Sequence, residues 1–273
     1  MLAMKRTVAF LLSVLLALSL LAGLSSCGGG ATAGLEYSLL SDGTYAVMGG
    51  AKGETTIRIP AEHEGIPVTA LADRAFEYRD EIRALHLPAS VTQIGRHAFG
   101  YSDSLATVTV DEGNPVYYSD GNCLIERASG RVVLGGKRSR IPNDGSITVI
   151  GESAFLGRAS LTTVVIPSGV TAVESYAFAG CEALSSLTLP DGVTVIGDNA
   201  FAFCTSLSSL TVPASVRSVG YGVFEGCEEA LTVTYGGTVA EWNETFGARY
   251  LGATALTVNC TDGVIENAGS YIE

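Results

Sequence analysis

Leu184-Ser185-Ser186-Leu187-Thr188-Leu189-Pro190-Asp191-Gly192-Val193-Thr194-Val195-Ile196-Gly197-Asp198-Asn199-Ala200-Phe201-Ala202-Phe203-Cys204 has a counterpart 23 residues to either side. Ala75-Phe76, Ala98-Phe99, Ala154-Phe155, Ala177-Phe178, Ala200-Phe201 and Val223-Phe224 mark one frame, with steps of 23, 56, 23, 23 and 23 residues. The long step is one ordinary period plus a coil of 33 residues. Pro167, Pro190 and Pro213 keep the same spacing and each closes an apolar run. Proline fixes φ and offers no N–H to a ladder, so it suits the corner where a strand ends. Asp191-Gly192 and Ser168-Gly169 then supply turn residues.

Within one period the apolar residues fall at every second position of two short stretches, the period of a half-buried strand. One unit cannot enclose its own Leu, Ile and Phe, but stacked units bury them in a common column. A period of roughly 20–29 residues is the signature of a leucine-rich repeat. The expected fold is therefore a leucine-rich-repeat solenoid, mainly β with short helical turns, a right-handed superhelix of about eight coils. At ~4.8 Å per parallel step it is a rod of about 40 Å.

The flanks divide differently. Lys5 and Arg6 precede the apolar run Thr7 to Leu21, and Leu24-Ser25-Ser26-Cys27 follows. The run is shorter than the ~20 residues of a membrane-spanning helix and has the layout of a secretory leader. Leu-Ser-Ser-Cys resembles the bacterial lipobox, which implies cleavage after residue 26 and a lipid on Cys27. Residues 1–26 are read as leader and 27–34 as a glycine-rich tether with nothing to bury. Residues 35–59 are read as an N-terminal cap hairpin folded about Ser41-Asp42-Gly43. The solenoid is placed at 60–235, with its irregular coil at about 111–142, and a C-terminal cap at 236–273. Trp242 and Phe246 are expected to cover the last coil, since the end of a stack otherwise faces water.

The Ala-Phe, Leu-Pro and Val-Thr-x-Ile-Gly elements resemble the BspA-type leucine-rich repeat of bacterial surface proteins, from about Leu35 to Asp262. Asn114 to Gly121 resembles that family's longer irregular coil, and Tyr235 to Asn243 its usual C-terminal end. The resemblance implies an extracellular location and recognition of proteins or glycans, sometimes adhesion. It transfers no catalytic residues.

The formal charge is −12, and removing the leader leaves 14 bases against 28 acids. Such a surface repels phosphate backbones, so nucleic acid is not expected as a partner. Cys181, Cys204 and Cys227 share one place in consecutive coils. Their spacing is far from that of zinc ligands, and stacked parallel side chains hold Cβ atoms wider than a disulfide prefers. They read as small buried hydrophobes. Because Arg79, Ser102 and Arg158 take that place elsewhere, the position is expected to be partly exposed. No metal and no cofactor are expected, and no nucleophile, metalloprotease, phosphate-loop or EF-hand signature is present.

Binding is expected on two surfaces. One is an outward row of strand residues, His86, Thr109, Val165, Thr188, Thr211, Thr234 and Thr257, beside a second row holding Thr107, Thr163, Ser186, Ser209 and Thr232. Hydroxyls in such rows can hydrogen-bond a sugar or a polypeptide, although threonine also suits any exposed strand position. The other is the 33-residue coil with Tyr117 and Tyr118, which must protrude or fold back. Adjacent strand residues point opposite ways, so one tyrosine is assigned to the core and the other to a ligand. The functional expectation is a lipid-anchored recognition or adhesion module at the bacterial surface, its ligand a protein or glycan. A structural spacer of the envelope is the alternative, and an unrecognised hydrolase a remote third.

Overall fold

One coil shows how the repeat folds. Ser186–Thr188 is a strand with an exposed, buried, exposed pattern that sends Leu187 inward. Pro190 opens a turn closed by the Val193 N–H on the Pro190 carbonyl at 3.0 Å. Val195–Ile196 is a second short strand, Ile196 buried. Asn199 and Phe203 then adopt positive φ, 53° and 57°. Between them the chain bends sharply, while the N–H groups of Asn199, Phe201 and Phe203 donate to Tyr221, Val223 and Glu225 of the next coil at 2.8, 3.0 and 2.6 Å. The coil is thus three-sided, and each side is hydrogen-bonded to its neighbour. Left-handed backbone favours glycine, yet Arg74, Tyr78, His97, Tyr101, Tyr176, Asn199 and Phe203 hold these places. Each costs about 1 kcal/mol or more, offset by the ladder it permits.

The computed structural model describes residues 30–228, 230–247, 250–253, 255–266 and 268. The expected leader, Cys27, Gly28 and Gly29 lie outside them. The expected tether is cut short: Thr32 N–H donates to the Arg58 carbonyl at 3.1 Å and the Gly34 carbonyl accepts from Ala51 at 2.7 Å, so these residues join the first rungs. From Thr32 onward the chain forms one compact unit, a β-solenoid of about nine turns. The count exceeds the eight expected because both ends add rungs. Leu35–Leu39 pairs antiparallel with Tyr45–Gly50, which itself runs parallel to Ile66–Leu71. At the far end Leu256–Asn259 runs parallel to Leu231–Tyr235, and Val264–Glu266 closes the edge antiparallel.

Most turns are single bends, and the one helix among the described residues is Val239–Thr245, opened by a Thr238–Glu241 capping box. Trp242 and Phe246 are buried from it, stacked at 3.9 Å, with Tyr235 edge-on to both. They do not cover the last coil, because the rung Leu256–Asn259 lies beyond.

The core is a column of phenylalanines in two parts. Phe76 stacks on Phe99 at 5.0 Å; Phe155, Phe178, Phe201 and Phe224 stack at 5.1, 5.9 and 6.2 Å. Between the parts enters the 33-residue coil. It folds back: Tyr117–Asp120, Cys123–Glu126 and Arg131–Gly135 form an antiparallel meander, whose last strand runs parallel to Val149–Ile150. Gly135 takes the place of a phenylalanine, and a Cβ there would collide with the Phe155 ring. On the third side the meander is absent, and Tyr101 N–H bonds straight to the Leu156 carbonyl at 3.1 Å. The insertion is a wedge.

Candidate functional site

The hydroxyl rows are real but not continuous. Ser186 pairs with Ser209, Ser209 with Thr232 and Thr232 with Thr257; Thr188, Thr211, Thr234 and Asn259 form the parallel row. Thr257 therefore belongs beside Thr232, not after Thr234. The helix Val239–Thr245 replaces a tight bend and lengthens that connection, so the 23-residue frame slips by two. Thr109 sits in a separate sheet of Thr56–Arg58, Ala84–Leu87 and Thr107–Val110. Its hydroxyl meets His86 Nδ1 at 2.9 Å, and His86 Nε2 reaches Asp111 at 3.0 Å. Val165 and Thr163 are in no strand, so the row breaks there.

The two tyrosines separate as their alternation requires. Tyr117 is buried, and that burial raises its hydroxyl above the ordinary tyrosine range. That removes Tyr117 from any binding face. Tyr118 stays half-buried with Arg127 over its ring at 5.1 Å. What fixes this coil is Asn114, the first residue of the stretch that resembles the family's irregular coil. It is 2% exposed. Its Nδ2 donates to Pro88 and Val91 carbonyls at 3.0 and 2.8 Å, and its Oδ1 accepts from Val116 and Tyr117 N–H groups at 2.9 and 2.7 Å.

The cysteine column is buried, not partly exposed. Cys181, Cys204 and Cys227 are 0–1% exposed, as are Ser102 and Arg158 in the same place, while Arg79 alone of those named keeps a part-exposed side chain there. The position asks for a hydrogen-bond donor and not for exposure. Cys181, Cys204 and Cys227 thiols donate to the carbonyls of Phe155, Phe178 and Phe201 at 3.2–3.4 Å. Ser102 does the same to Phe76 at 2.7 Å. Arg158 does it across the wedge, from Nη1 to Phe99 at 3.0 Å and from Nε to Gly135 at 2.8 Å. Burial pulls its guanidinium down to about 10 and pushes the Cys181 thiol up to about 12 and Cys227 to about 11. All five cysteines among the described residues are unpaired.

The wedge leaves two openings. One is a crevice of about 150 Å³ between Arg96–Gly100 and Gly151–Ser153, where Arg96 pairs with Glu152 at 3.7 Å and Arg131 with Glu174. The other is a cleft of about 690 Å³ on the strand side, with Lys137 and Arg138 facing Thr163 and Val165. Among the described residues no group of His, Cys, Asp and Glu could hold a metal ion, and no helix is long and apolar enough to cross a membrane.

The BspA type leucine-rich-repeat region matches in six copies, over residues 56–122 and 137–246. The chain belongs to the BspA-type leucine-rich-repeat family.

The fold of this BspA-type chain also occurs in a leucine-rich-repeat protein from Eubacterium ventriosum, with a TM-score of 0.57 at 17% identity, over 76% of this chain and 78% of that one. A leucine-rich-repeat protein from Bacteroides ovatus is 24% identical, TM-score 0.44, over 76% of this chain and 47% of its own. This chain thus spans about half the length of that structure. A leucine-rich cell surface protein from Faecalibacterium prausnitzii is 18% identical, TM-score 0.44, over 81% and 98%. No curated protein matches the sequence.

Proposed function

We propose that this BspA-type protein is an extracytoplasmic recognition module, held to the bacterial surface by a lipid on Cys27, that binds protein or glycan through its strand face. One observation carries the reading: Ser186, Ser209, Thr232 and Thr257 run in register beside Thr188, Thr211, Thr234 and Asn259, on strands whose alternate residues are core. Two parallel rows at ladder spacing offer repeated donors and acceptors to an extended ligand. A lipid tether would present that face outward without a spanning helix.

The test is a pull-down and glycan array with the full chain, repeated with Thr211→Lys and Thr188→Lys. Binding that both variants weaken supports the face; binding indifferent to both, in folded protein, removes it. Labelling with a fatty-acid analogue that persists in Cys27→Ser would refute the anchor. A spacer role has one observation in its favour. Thr148, Thr171 and Thr194 hydroxyls donate along the stack to Ser129, Thr148 and Thr171 carbonyls at 2.6, 3.2 and 3.2 Å, so part of the hydroxyl complement stiffens the rod.

A further inference from the structure

The strand face is interrupted at one place, and that place is charged. One sheet ends at Thr107–Val110 and the next begins at Ser186–Thr188. Between them Thr162 to Ile166 runs through a strand's position unpaired. Among the described residues, none of its N–H groups donates to a carbonyl and none of its carbonyls accepts. The wedge is the cause. On the far side the same coils stay laddered through Val149–Ile150 and Ala172–Val173, so inserting a meander splays them on this side. Val165 stands out, 76% exposed.

Against this open segment lie Lys137, Arg138 and Arg140, three of the chain's 16 cations within four residues. Their backbone is fixed: Lys137 N–H bonds to Leu105, Arg140 N–H to Gly121, and the Ser139 hydroxyl to Asn122, at 2.7–2.8 Å. Their side chains are not committed. Among the described residues no carboxylate lies within ion-pair distance of any of them, whereas Arg79, Arg96 and Arg131 are all paired. The cleft they line continues from about 690 Å³ into a second cavity of about 330 Å³ that runs along Thr163–Ile166 to Ser186 and Thr188.

We propose that this cleft binds an anionic polysaccharide, a chain of sugar residues bearing carboxylate or sulfate groups. The inference rests on the recognition reading above and names a ligand class and a place for it. Uncommitted guanidinium groups match carboxylate or sulfate oxygens in planar, two-point fashion. Sugar hydroxyls both donate and accept, which suits a backbone segment whose N–H and C=O groups are both open. Two cavities in tandem suit a polymer. An acidic polypeptide can also meet an Arg cluster, but polyglutamate brings no ring face to lie against an aliphatic side chain. Here the exposed aliphatic, Val165, projects and offers a surface to a pyranose ring. The protein's net negative charge does not forbid this, since charges beyond ~8 Å are screened at physiological salt.

The experiment measures binding of the full chain to polygalacturonate, dextran sulfate, neutral dextran, polyglutamate and sodium sulfate. The expected result is that polygalacturonate or dextran sulfate binds, the pair telling carboxylate from sulfate, while neutral dextran does not. Affinity should fall at least about tenfold between roughly 50 and 200 mM salt, as multi-point charge contacts require. The Lys137→Gln, Arg138→Gln, Arg140→Gln triple variant should lose at least about tenfold, Arg138→Lys alone much less, and Lys52→Gln, an exposed cation outside the cleft, nothing. These side chains are on the surface, and an unchanged melting temperature checks that the triple variant folds. Equal binding to neutral dextran, tighter binding to polyglutamate, an unaffected triple variant, or no binding to either anionic polymer overturns the inference. An equal loss in Lys52→Gln overturns it too, while leaving in place the strand-face reading, which Thr211→Lys tests separately.

Discussion

Arg158 Nη1 donates to the carbonyl of Phe99 across 59 residues of sequence, making the bond that Cys181 makes to Phe155 across 26. The guanidinium reaches because it is long, and its Nε serves Gly135 on the way. Replacing it with the residue the rest of the column uses should therefore fail. Arg158→Cys takes the long side-chain donor from the buried Phe99 and Gly135 carbonyls and is expected to cost about 2–5 kcal/mol, on the scale of about 1–3 for each buried bond lost. Denaturant unfolding checks this. A variant as stable as wild type would mean the join is held elsewhere.

The thiols carry a pH dependence. Burial raises Cys123 and Cys227 to about 11 and Cys181 to about 12, and puts Cys204 well above the ordinary 9.0. Above pH 9 the unfolded chain releases these protons while the native one keeps them. The stability they confer is thus whole below pH 9 and drains away as pH rises toward 11. For Cys123 or Cys227 a gap of about two pH units is worth about 3 kcal/mol. Arg158 acts in the opposite sense, but only above about 10. Urea midpoints should fall between pH 8 and 10, and fall less in a Cys181→Ala, Cys204→Ala, Cys227→Ala variant. Parallel slopes in the two proteins would contradict the assignment.

Phe178 lies between Phe155 at 5.1 Å and Phe201 at 5.9 Å with no exposure. Phe178→Ala should destabilise by about 3–5 kcal/mol. A thermal melt superimposable on wild type would show the column to be less tightly packed than the ring spacings indicate.

Asn114 uses its amide as two donors and two acceptors at once. Asn114→Asp keeps the shape but turns the donors into an oxygen facing two carbonyls. It should be at least as damaging as Asn114→Ala, each about 2–4 kcal/mol by the cost of buried unsatisfied groups. Proteolysis between Tyr117 and Arg131 should accelerate in both. An Asp variant as stable as wild type would contradict the donor assignment of Nδ2.

The frame of the repeat is legible because the Ala-Phe turn and the proline corner are local chemistry, and both recur every 23 residues. The register of Thr257 is not, since a helix in place of a bend at Val239–Thr245 changes the connection's length without changing its apolar pattern. The cysteine column misleads for a related reason. Arg, Ser and Cys look alike only as a donor set, and what they donate to is a phenylalanine carbonyl one coil back, invisible in a string of side chains. The cleft at Lys137 to Arg140 is hidden further, because it exists only where a wedge parts two coils.

Each coil beyond Arg158 carries one donor for the coil before it and one phenylalanine carbonyl for the coil after. A 23-residue segment copied in tandem within Leu161 to Gly226 therefore brings its own partner for every group it exposes. Unequal crossing-over can lengthen or shorten the rod there without orphaning anything. A duplication spanning Arg158 has no such freedom, because a second guanidinium would arrive with no second meander to cross. Copy-number variation among natural relatives should accordingly spare the stretch that spans that arginine and its meander.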